Sequence, residues 1–362
     1  LTLIDAKLTG TGPAKDAAAV VTEAPLFARN VTATGYARAV ENKLGDRPGP
    51  DGPAVAEYAN LQTFSLFDTR KTSLGLPVEE VPAVPADDPA TWESVTKHGA
   101  GGNTYQKRDK NDDTPGFQKA IDSGATTVVV PRGFYVLNDT VRVRGNVRRI
   151  VFMESQLVGG PGLKGTAKPA FRFEDGAADV VVLERFKETY GSHAAVWIEH
   201  AGKRTLVVRN ATFGKYDSAG GGRLFLDDVC GGPFHFNKQD VWARQLNQET
   251  KGLHVRNNGG RLWVLGYKTE RSGTLLETTA GGSTEVLGCF AYCTTGVSPD
   301  PMFVVRDSAF SATMGEAHFG GNFPVIVRET RGGETRDLGR KEVPSRYGIG
   351  ALLPLYATAR PE

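Results

Sequence analysis

The chain has 362 residues, 40% of them hydrophobic and 23% charged, so it can bury a sizeable core and form more than one structural unit. Its 44 glycines and 3 methionines favour a turn-rich β protein over a helical bundle. The net charge of +2, with both signs interspersed and no basic block, gives no electrostatic case for nucleic acid, and no such partner is expected.

Cysteine content argues against a protein held together by disulfides or metal ions, and hydropathy argues against a membrane-spanning protein. Cys230, Cys289 and Cys293 form neither a disulfide framework nor a metal-ligand spacing, so neither a metal nor a cofactor is expected. No apolar run approaches the ~18–20 residues that span a membrane. The chain shows no signal peptide and opens on the strand-like "LTLIDAKL", from which we expect an N-terminal portion to be absent from it.

Changes in composition along the chain divide the sequence into four segments. Residues 1–75 contain short β-type runs separated by Gly, Pro and Asn. Residues 76–91 hold four prolines, which remove ladder donors and favour extended backbone, so we expect a linker lying along a surface. Residues 92–335 hold a second and larger β unit, and residues 336–362 are expected to form a C-terminal tail.

The second unit starts with a short predicted helix, residues 114–123. Asp113 is the expected N-cap, Pro115 lies in the first turn and Gly124 follows the last turn. After this helix, strand-like runs of four to eight residues recur with almost no helical periodicity. The unit is therefore predicted to be almost entirely β.

Equivalent apolar positions recur at a fixed distance along this unit. Trp242 and Trp263 are 21 residues apart, Trp263 and Val286 are 23 apart, and the spacing rises to 28 between Leu275 and Phe303. A period of this length indicates a solenoid, in which each coil buries its apolar face only by stacking on its neighbours. A β-sandwich would show strands every 8–12 residues without the longer repeat.

Two motifs carry a resemblance to known families. The segment "WESV … DDTPGFQKAID … VVVPRGFYVL", within residues 92–137, resembles the entry to a pectate-lyase-like right-handed parallel β-helix. The wider pattern is similar to the family-55 glycoside hydrolases, exo-acting β-1,3-glucanases with two tandem β-helices and a W-L-x-G-x-x-S-E-H signature. Trp263, Gly266 and Glu270 match that signature, whereas Thr269 and Arg271 replace its serine and histidine.

The resemblance implies an all-β fold: a right-handed parallel β-helix preceded by the C-terminal coils of a similar unit. It also implies a secreted or periplasmic glycoside hydrolase that cleaves a β-glucan-like polysaccharide in a cleft between the two β-helices. Glu270 then takes the place of the family's general acid. An N-terminal β-helix portion outside this chain would supply the rest of such a site.

The repeat itself places a second carboxylate beside Glu270. Successive coils of a parallel β-helix lie ~4.8 Å apart, so a register of 21 residues makes Glu249 and Glu270 neighbours on one face. Two close carboxylates do not both ionise at low cost, and we expect one pKa to rise toward the range of a general acid. Two solvated acids at a turn are the simpler interpretation.

Side chains around these acids are candidates for binding a polysaccharide or oligosaccharide: Trp242, Trp263, Tyr267, Arg244, His254 and Arg256. The aromatic members are equally well explained as rings stacked in a β-helix core, and the cationic members as a solvated face. Two other functions stay open. One is a polysaccharide lyase acting on uronates with an Arg or Lys base, and the other is a non-catalytic β-helix that binds glycan or attaches to a surface.

Overall fold

The computed structural model describes residues 1–45, 47–69, 71–104, 111–189, 192–345 and 349–358. An N-terminal unit contains six strands: β1 (Thr2–Ile4), β2 (Lys7–Thr9), β3 (Ala18–Thr22), β4 (Phe27–Thr34), β5 (Arg38–Asn42) and β6 (Ala54–Ala59). β1 and β2 pair in parallel with β4, and β3 pairs in parallel with β5. β6 runs antiparallel to β4 and closes these two stacked coils.

The remaining strands form the C-terminal β-helix: β7 (Glu93–Ser94), β8 (Thr127–Val130), β9 (Phe134–Leu137), β10 (Val141–Gly145), β11 (Arg149–Gly159), β12 (Phe171–Gly176), β13 (Val180–Glu188), β14 (Trp197–His200), β15 (Thr205–Phe213), β16 (Lys215–Ser218), β17 (Leu224–Gly231), β18 (Phe234–Asn237), β19 (Asp240–Gln248), β20 (Val255–Asn258), β21 (Arg261–Glu270), β22 (Leu276–Thr279), β23 (Ser283–Cys293), β24 (Gly296–Val297), β25 (Phe303–Arg306), β26 (Ala309–His318), β27 (Gly321–Asn322), β28 (Val325–Arg331), β29 (Glu334–Gly339) and β30 (Ile349–Ala357). One α-helix, α1 (Thr114–Asp122), is described. Short 3₁₀ turns span Gly12–Asp16, Pro89–Thr91, Val95–His98, Pro161–Leu163 and Arg340–Glu342.

Two long sheets run the length of the C-terminal β-helix. The short-strand sheet has the order β10-β12-β14-β16-β18-β20-β22-β25-β28-β29, and the long-strand sheet runs β30-β26-β23-β21-β19-β17-β15-β13-β11-β8-β7. Neighbouring strands are parallel until the last pair of each sheet, β28–β29 and β26–β30, which are antiparallel. The predicted all-β, right-handed parallel β-helix is therefore confirmed. The segment boundaries predicted at residues 75, 91 and 335 stay predictions.

Aromatic side chains stack through the interior of the coils. Phe152 lies 5.1 Å from Phe186 between ring centroids, Phe186 lies 6.1 Å from Phe213, and Phe213 lies 5.8 Å from Phe234. Each of these rings is almost fully buried. Burial of such a side chain stabilises the fold by roughly 1.5–3 kcal/mol, so the stack ties successive coils together.

A left-handed residue bends the successive long strands from β11 to β23 at the same point. Gln245 (φ 56°), Gly266 (φ 77°) and Gly288 (φ 75°) occupy this position in β19, β21 and β23. The residue breaks the strict alternation of faces along a strand. Trp263 thus points outward while Tyr267, four residues later, points into the core. Gly266, which matches a glycine of the family signature, has this structural role.

α1 covers the N-terminal end of the β-helix and ends one residue before the prediction. Asp113 is the N-cap residue, as predicted, but its side chain makes no capping hydrogen bond. The Asp113 carboxylate instead accepts backbone hydrogen bonds from Gly101 (2.6 Å) and Val136 (2.8 Å), while the amide of Thr114 donates to Asp112 at 3.0 Å. The Asp113 carboxylate therefore joins the entry loop to β9.

Residues 76–87, which we call the strap, lie in extended form across the outer face of the long-strand sheet. Its valines Val78, Val81 and Val84 pack against an outward-facing apolar row that includes Trp242 and Trp263. The backbone oxygens of the strap accept hydrogen bonds from this sheet, and Asp87 forms an ion pair with Arg148. The strap therefore seals from water a face that the sheet alone would leave exposed.

Candidate functional site

The predicted 21-residue register between β19 and β21 is confirmed. Trp242 is opposite Trp263 and Gln248 is opposite Thr269, so the chain continues into Glu249 and Glu270 on neighbouring coils. The predicted spacing of 23 to the next coil is wrong by one residue, because the position opposite Trp263 is held by Glu285. Glu285 is fully buried and occupies a place where the repeat predicts an apolar side chain.

Lys268 lies between the two candidate acids. Its Nζ donates to Glu270 Oε1 at 2.5 Å and also to Glu249 Oε1. The hydroxyl of Tyr292, on β23, donates to the same Glu270 oxygen, and Asn247 Nδ2 donates to Glu249 Oε1 at 3.0 Å. We call Glu249, Lys268, Glu270 and Tyr292 the acid–lysine cluster. Its charged side chains are 23–40% exposed, so the cluster is within reach of a ligand.

Electrostatics in the cluster differ from the prediction. The pKa of Glu270 lies below its ordinary value, first because Lys268 donates to it and second because Tyr292 does. The raised pKa expected for one of the two acids therefore does not fall on Glu270, since the ammonium of Lys268 stabilises its ionised form. Burial alone would lower the pKa of Lys268, but hydrogen bonds to Glu249, Glu270 and Tyr292 raise it.

Two candidate binding residues, Trp242 and Trp263, lie beneath the strap. Each is only 3% exposed. Trp242 stacks on Phe225 with 5.0 Å between ring centroids and an interplanar angle of 15°, and its Nε1 donates to Pro77 O at 2.9 Å. Arg244 lies over the ring of Trp263 and donates to Glu79 O at 3.0 Å. These side chains bind the strap, which leaves no face open to a sugar.

The other candidates are dispersed. Tyr267 is buried in the core, where its hydroxyl donates to Leu275 O at 3.1 Å. His254 is also buried, with its Nδ1 2.8 Å from Thr269 Oγ1. Burial lowers the pKa of His254 to about 4. Arg256 lies on the outer face of the short-strand sheet in an ion pair with Glu277 at 2.7 Å. The structure thus brings Glu249 and Glu270 together and separates them from the six candidate binding residues.

Phe290 and Phe319 adjoin the cluster next to its member Tyr292, and the sequence analysis predicted a role for none of these three aromatic residues. Phe290 is opposite Lys268 and Tyr292 is opposite Glu270 in the next coil. Tyr292 contacts Phe290 on one side and Phe319 on the other, with centroid distances of 5.6 Å and 6.1 Å. The 22-residue register from β21 to β23 would have identified Phe290 and Tyr292. Phe319 follows a strand end and has no periodic signal.

A groove of about 440 Å³ runs along the outer face of the long-strand sheet and ends beside the cluster. It is bordered by a row with one side chain per coil, which we call the outer row: Gln156, Lys187, Thr212, Cys230, Asn247 and, beyond the groove, Lys268. The row is only partly buried along its length. It offers amide, hydroxyl and ammonium groups in single file.

A separate cleft of about 320 Å³ lies between the N-terminal unit and the β-helix. Its walls are mainly apolar, with Leu26, Phe27, Phe290 and Leu353 among them. Neither Glu249 nor Glu270 lines it. The expectation of a site between the two β units therefore does not match the position of the two acids, which lie on the outer face of one of them.

Within the described residues, no group of three or more His, Cys, Asp or Glu side chains is arranged to hold a metal ion. The described helices include none that is both long and apolar enough to cross a membrane.

Comparisons with solved structures give likenesses at low similarity. No protein-family model matches the chain, and no curated protein matches it. The ORF18 protein of Geobacillus virus E2 shares 12% identity over 66% of this chain and 63% of its own length, with a TM-score of 0.34. The chain thus spans less than two thirds of that protein.

Two further solved structures show a similar degree of likeness. The surface adhesin PfbA of Streptococcus pneumoniae shares 11% identity over 68% of this chain and 94% of its own, with a TM-score of 0.27. An iota-carrageenase of family GH82 from A. fortis shares 11% identity over 65% of this chain and 60% of its own length, with a TM-score of 0.35. These likenesses give no functional argument, and the family-55 resemblance stays a prediction. The strand pairing of this chain identifies its fold as a right-handed parallel β-helix.

Proposed function

We propose that this protein binds an extended glycan chain in the groove beside the outer row. The outer row carries the proposal: consecutive coils present one side chain each at ~4.8 Å intervals, a repeat close to the length of one hexose unit in an extended polysaccharide. A linear polymer of similar subunits can therefore make the same kind of contact at each coil. A secreted or periplasmic location belongs to the same proposal.

The chemistry of the outer row suits sugar hydroxyl groups. Gln156, Thr212 and Asn247 carry amide or hydroxyl groups that both donate and accept, and Lys187 is exposed. Charges of both signs border the groove, which Glu154, Asp228 and Lys187 all line. A neutral polyhydroxylated chain fits this mixed surface better than a polymer of one charge, which would meet repulsion at part of the groove.

Binding isotherms on a panel of neutral and acidic polysaccharides test this function. Thr212→Arg places a long cation in the groove and is expected to weaken glycan binding at least tenfold. Thr335→Arg, on the exposed strand β29, is the matched control and should bind as the wild type does. Absence of binding by the wild-type protein to every polysaccharide of the panel would reject the proposal.

Hydrolysis is the second candidate, and the contacts of Lys268 favour it. Both carboxylates reach one Nζ, so they are close, as in retaining glycosidases, whose carboxyl groups are ~5–5.5 Å apart. Because the pKa of Glu270 is lowered, Glu270 suits the ionised nucleophile rather than the general acid. Glu249 would then protonate the leaving oxygen, and Glu270 would attack the anomeric carbon. A lyase is less well supported, since a lysine base needs a lowered pKa and that of Lys268 is raised.

Product analysis separates binding from hydrolysis. Glu249→Gln and Glu270→Gln should each abolish release of reducing ends from any cleaved glycan while its binding persists. Glu334→Gln, an exposed acid paired with Arg336, is the control. Full activity in both cluster variants would remove the hydrolase candidate. Glycan binding without cleavage by the wild type would leave the binding function alone.

A further inference from the structure

We propose that Phe290, Tyr292 and Phe319, which we call the aromatic patch, stack a neutral sugar ring at the end of the groove. This inference rests on the proposed glycan binding and adds a position and a sugar class to it. Phe319 is 70% exposed and Phe290 44%, two of the six large hydrophobic side chains that are exposed in the described chain. Leaving such rings in water costs stability, so a contiguous patch of them indicates a contact surface.

The geometry of the patch leaves ring faces available. Tyr292 is tilted by 52° to Phe290 and by 72° to Phe319, so the three rings touch obliquely and do not stack on one another. The large exposed fractions of the two Phe rings agree with open faces. A hexose presents C–H groups on one side of its ring, and these pack well on an aromatic face, whose π-system is the negative side of its quadrupole.

Polar groups adjoin this aromatic surface. Phe290 is opposite Lys268 in the strand register, and the Lys268 Nζ lies 5.1 Å from the Tyr292 ring centroid. The Tyr292 hydroxyl reaches Glu270. A sugar stacked on the patch therefore places its hydroxyl rim near charged oxygens and an ammonium. Apolar faces next to a few polar groups are the usual composition of a small-molecule site.

The charge of the acid–lysine cluster favours a neutral sugar over an acidic one. The cluster next to the patch contains two carboxylates, Glu249 and Glu270, and one ammonium, Lys268, so it carries a net negative charge. A uronate or sulfated unit would be repelled by the uncompensated carboxylate, whereas a neutral hexose would not. The groove and the patch thus favour a neutral glycan at this end.

Alanine variants test the inference because both Phe side chains are exposed and their removal leaves the core intact. Phe290→Ala with Phe319→Ala is expected to weaken binding of a neutral glucose hexasaccharide at least tenfold by calorimetry. Val21→Ala, which removes another exposed hydrophobic side chain on the N-terminal unit, is the control and should not change the affinity. An oligogalacturonate of the same length should bind the wild type at least tenfold more weakly than the neutral ligand.

The outcomes separate the inference from the function on which it rests. If Thr212→Arg weakens glycan binding but the double alanine variant binds normally, the patch inference is overturned and the groove stands. Tighter binding of the oligogalacturonate than of the neutral ligand would overturn the sugar class. If the wild type binds no polysaccharide of the panel, both proposals fail. A double variant that loses only self-association in sedimentation would assign the patch to contact between copies and overturn the sugar site.

Discussion

Arg29 of the N-terminal unit and Glu285 of the β-helix form a two-pronged ion pair, with Nη1–Oε1 and Nη2–Oε2 distances of 2.8 Å and 2.9 Å. The Glu285 carboxylate also accepts the backbone amides of Gly75 (2.9 Å) and Leu76 (3.3 Å). One buried carboxylate thus joins the N-terminal unit, the start of the strap and β23. It holds a place in the repeat that the apolar pattern assigns to the core.

Glu285→Gln should lower the free energy of unfolding by about 3–5 kcal/mol, because it leaves the mostly buried Arg29 guanidinium without its counter-charge. Chemical denaturation measures the change. Asp337→Asn, which breaks the exposed pair with Arg328, is the control and should cost at most about 1 kcal/mol. Replacing both Arg29 and Glu285 by apolar residues should still destabilise the protein, since the amides of Gly75 and Leu76 lose their acceptor. Equal stability of Glu285→Gln and the wild type would contradict this account.

The acid–lysine cluster gives a pH dependence of defined sign. Glu270 has a lowered pKa, so its contribution to stability is present above the unfolded value of ~4.3 and is lost as pH falls through the folded value. Lys268 has a raised pKa, so its contribution is present below ~10.4 and is lost as pH rises through the folded value. Between these two pH limits, the contributions of Glu270 and Lys268 to stability do not change with pH.

Lys268→Met should therefore raise the pKa of Glu270 toward its ordinary value, as measured by NMR titration of the carboxyl carbon. Tyr292→Phe should raise it less, because the hydroxyl is the second of the two main donors. Lys7→Met, on β2, provides a control away from the cluster. A Glu270 pKa that does not move in Lys268→Met would show that the ammonium is not its partner in solution.

The strap makes a prediction about Trp242. Trp242→Phe keeps a ring against Phe225 but removes the hydrogen bond to Pro77 O and part of the buried ring, so it should cost about 1–3 kcal/mol of stability. Trp242→Ala removes the ring as well and should cost about 3–5 kcal/mol. Glycan affinity should be unchanged in Trp242→Phe, because the strap covers this ring. A tenfold loss of affinity in that variant would show that Trp242 contributes to glycan binding.

The bend in the long strands is tested by a reciprocal pair of substitutions. Gly266→Gln puts a side chain at φ 77°, where the left-handed conformation costs roughly 1–2 kcal/mol, although the space there is open enough for a Cβ. Gln245→Gly, at φ 56° in the preceding coil, should relieve that strain and leave stability unchanged or slightly higher. Thermal unfolding midpoints of the two variants compare them directly. A stabilising effect of Gly266→Gln would contradict the bend.

The repeat in the sequence predicted the fold and the neighbouring positions of Glu249 and Glu270, because stacking requires apolar side chains at a constant interval. It did not predict which face a residue takes, since the left-handed bend at Gly266 reverses the alternation between Trp263 and Tyr267. Gln245 occupies the same conformation without any residue preference that would reveal it. The ammonium of Lys268 between two acids depends on side-chain geometry that spacing does not contain.

The two antiparallel strands β29 and β30 have a consequence for how molecules of this protein meet. Each occupies the last position of its sheet and runs against the direction of the coils. A second copy that offered a parallel coil at that end would face a backbone of opposite polarity, and β29 adds a row of exposed charged side chains. The described end of the β-helix therefore does not offer the parallel edge on which a further coil of the same kind would stack.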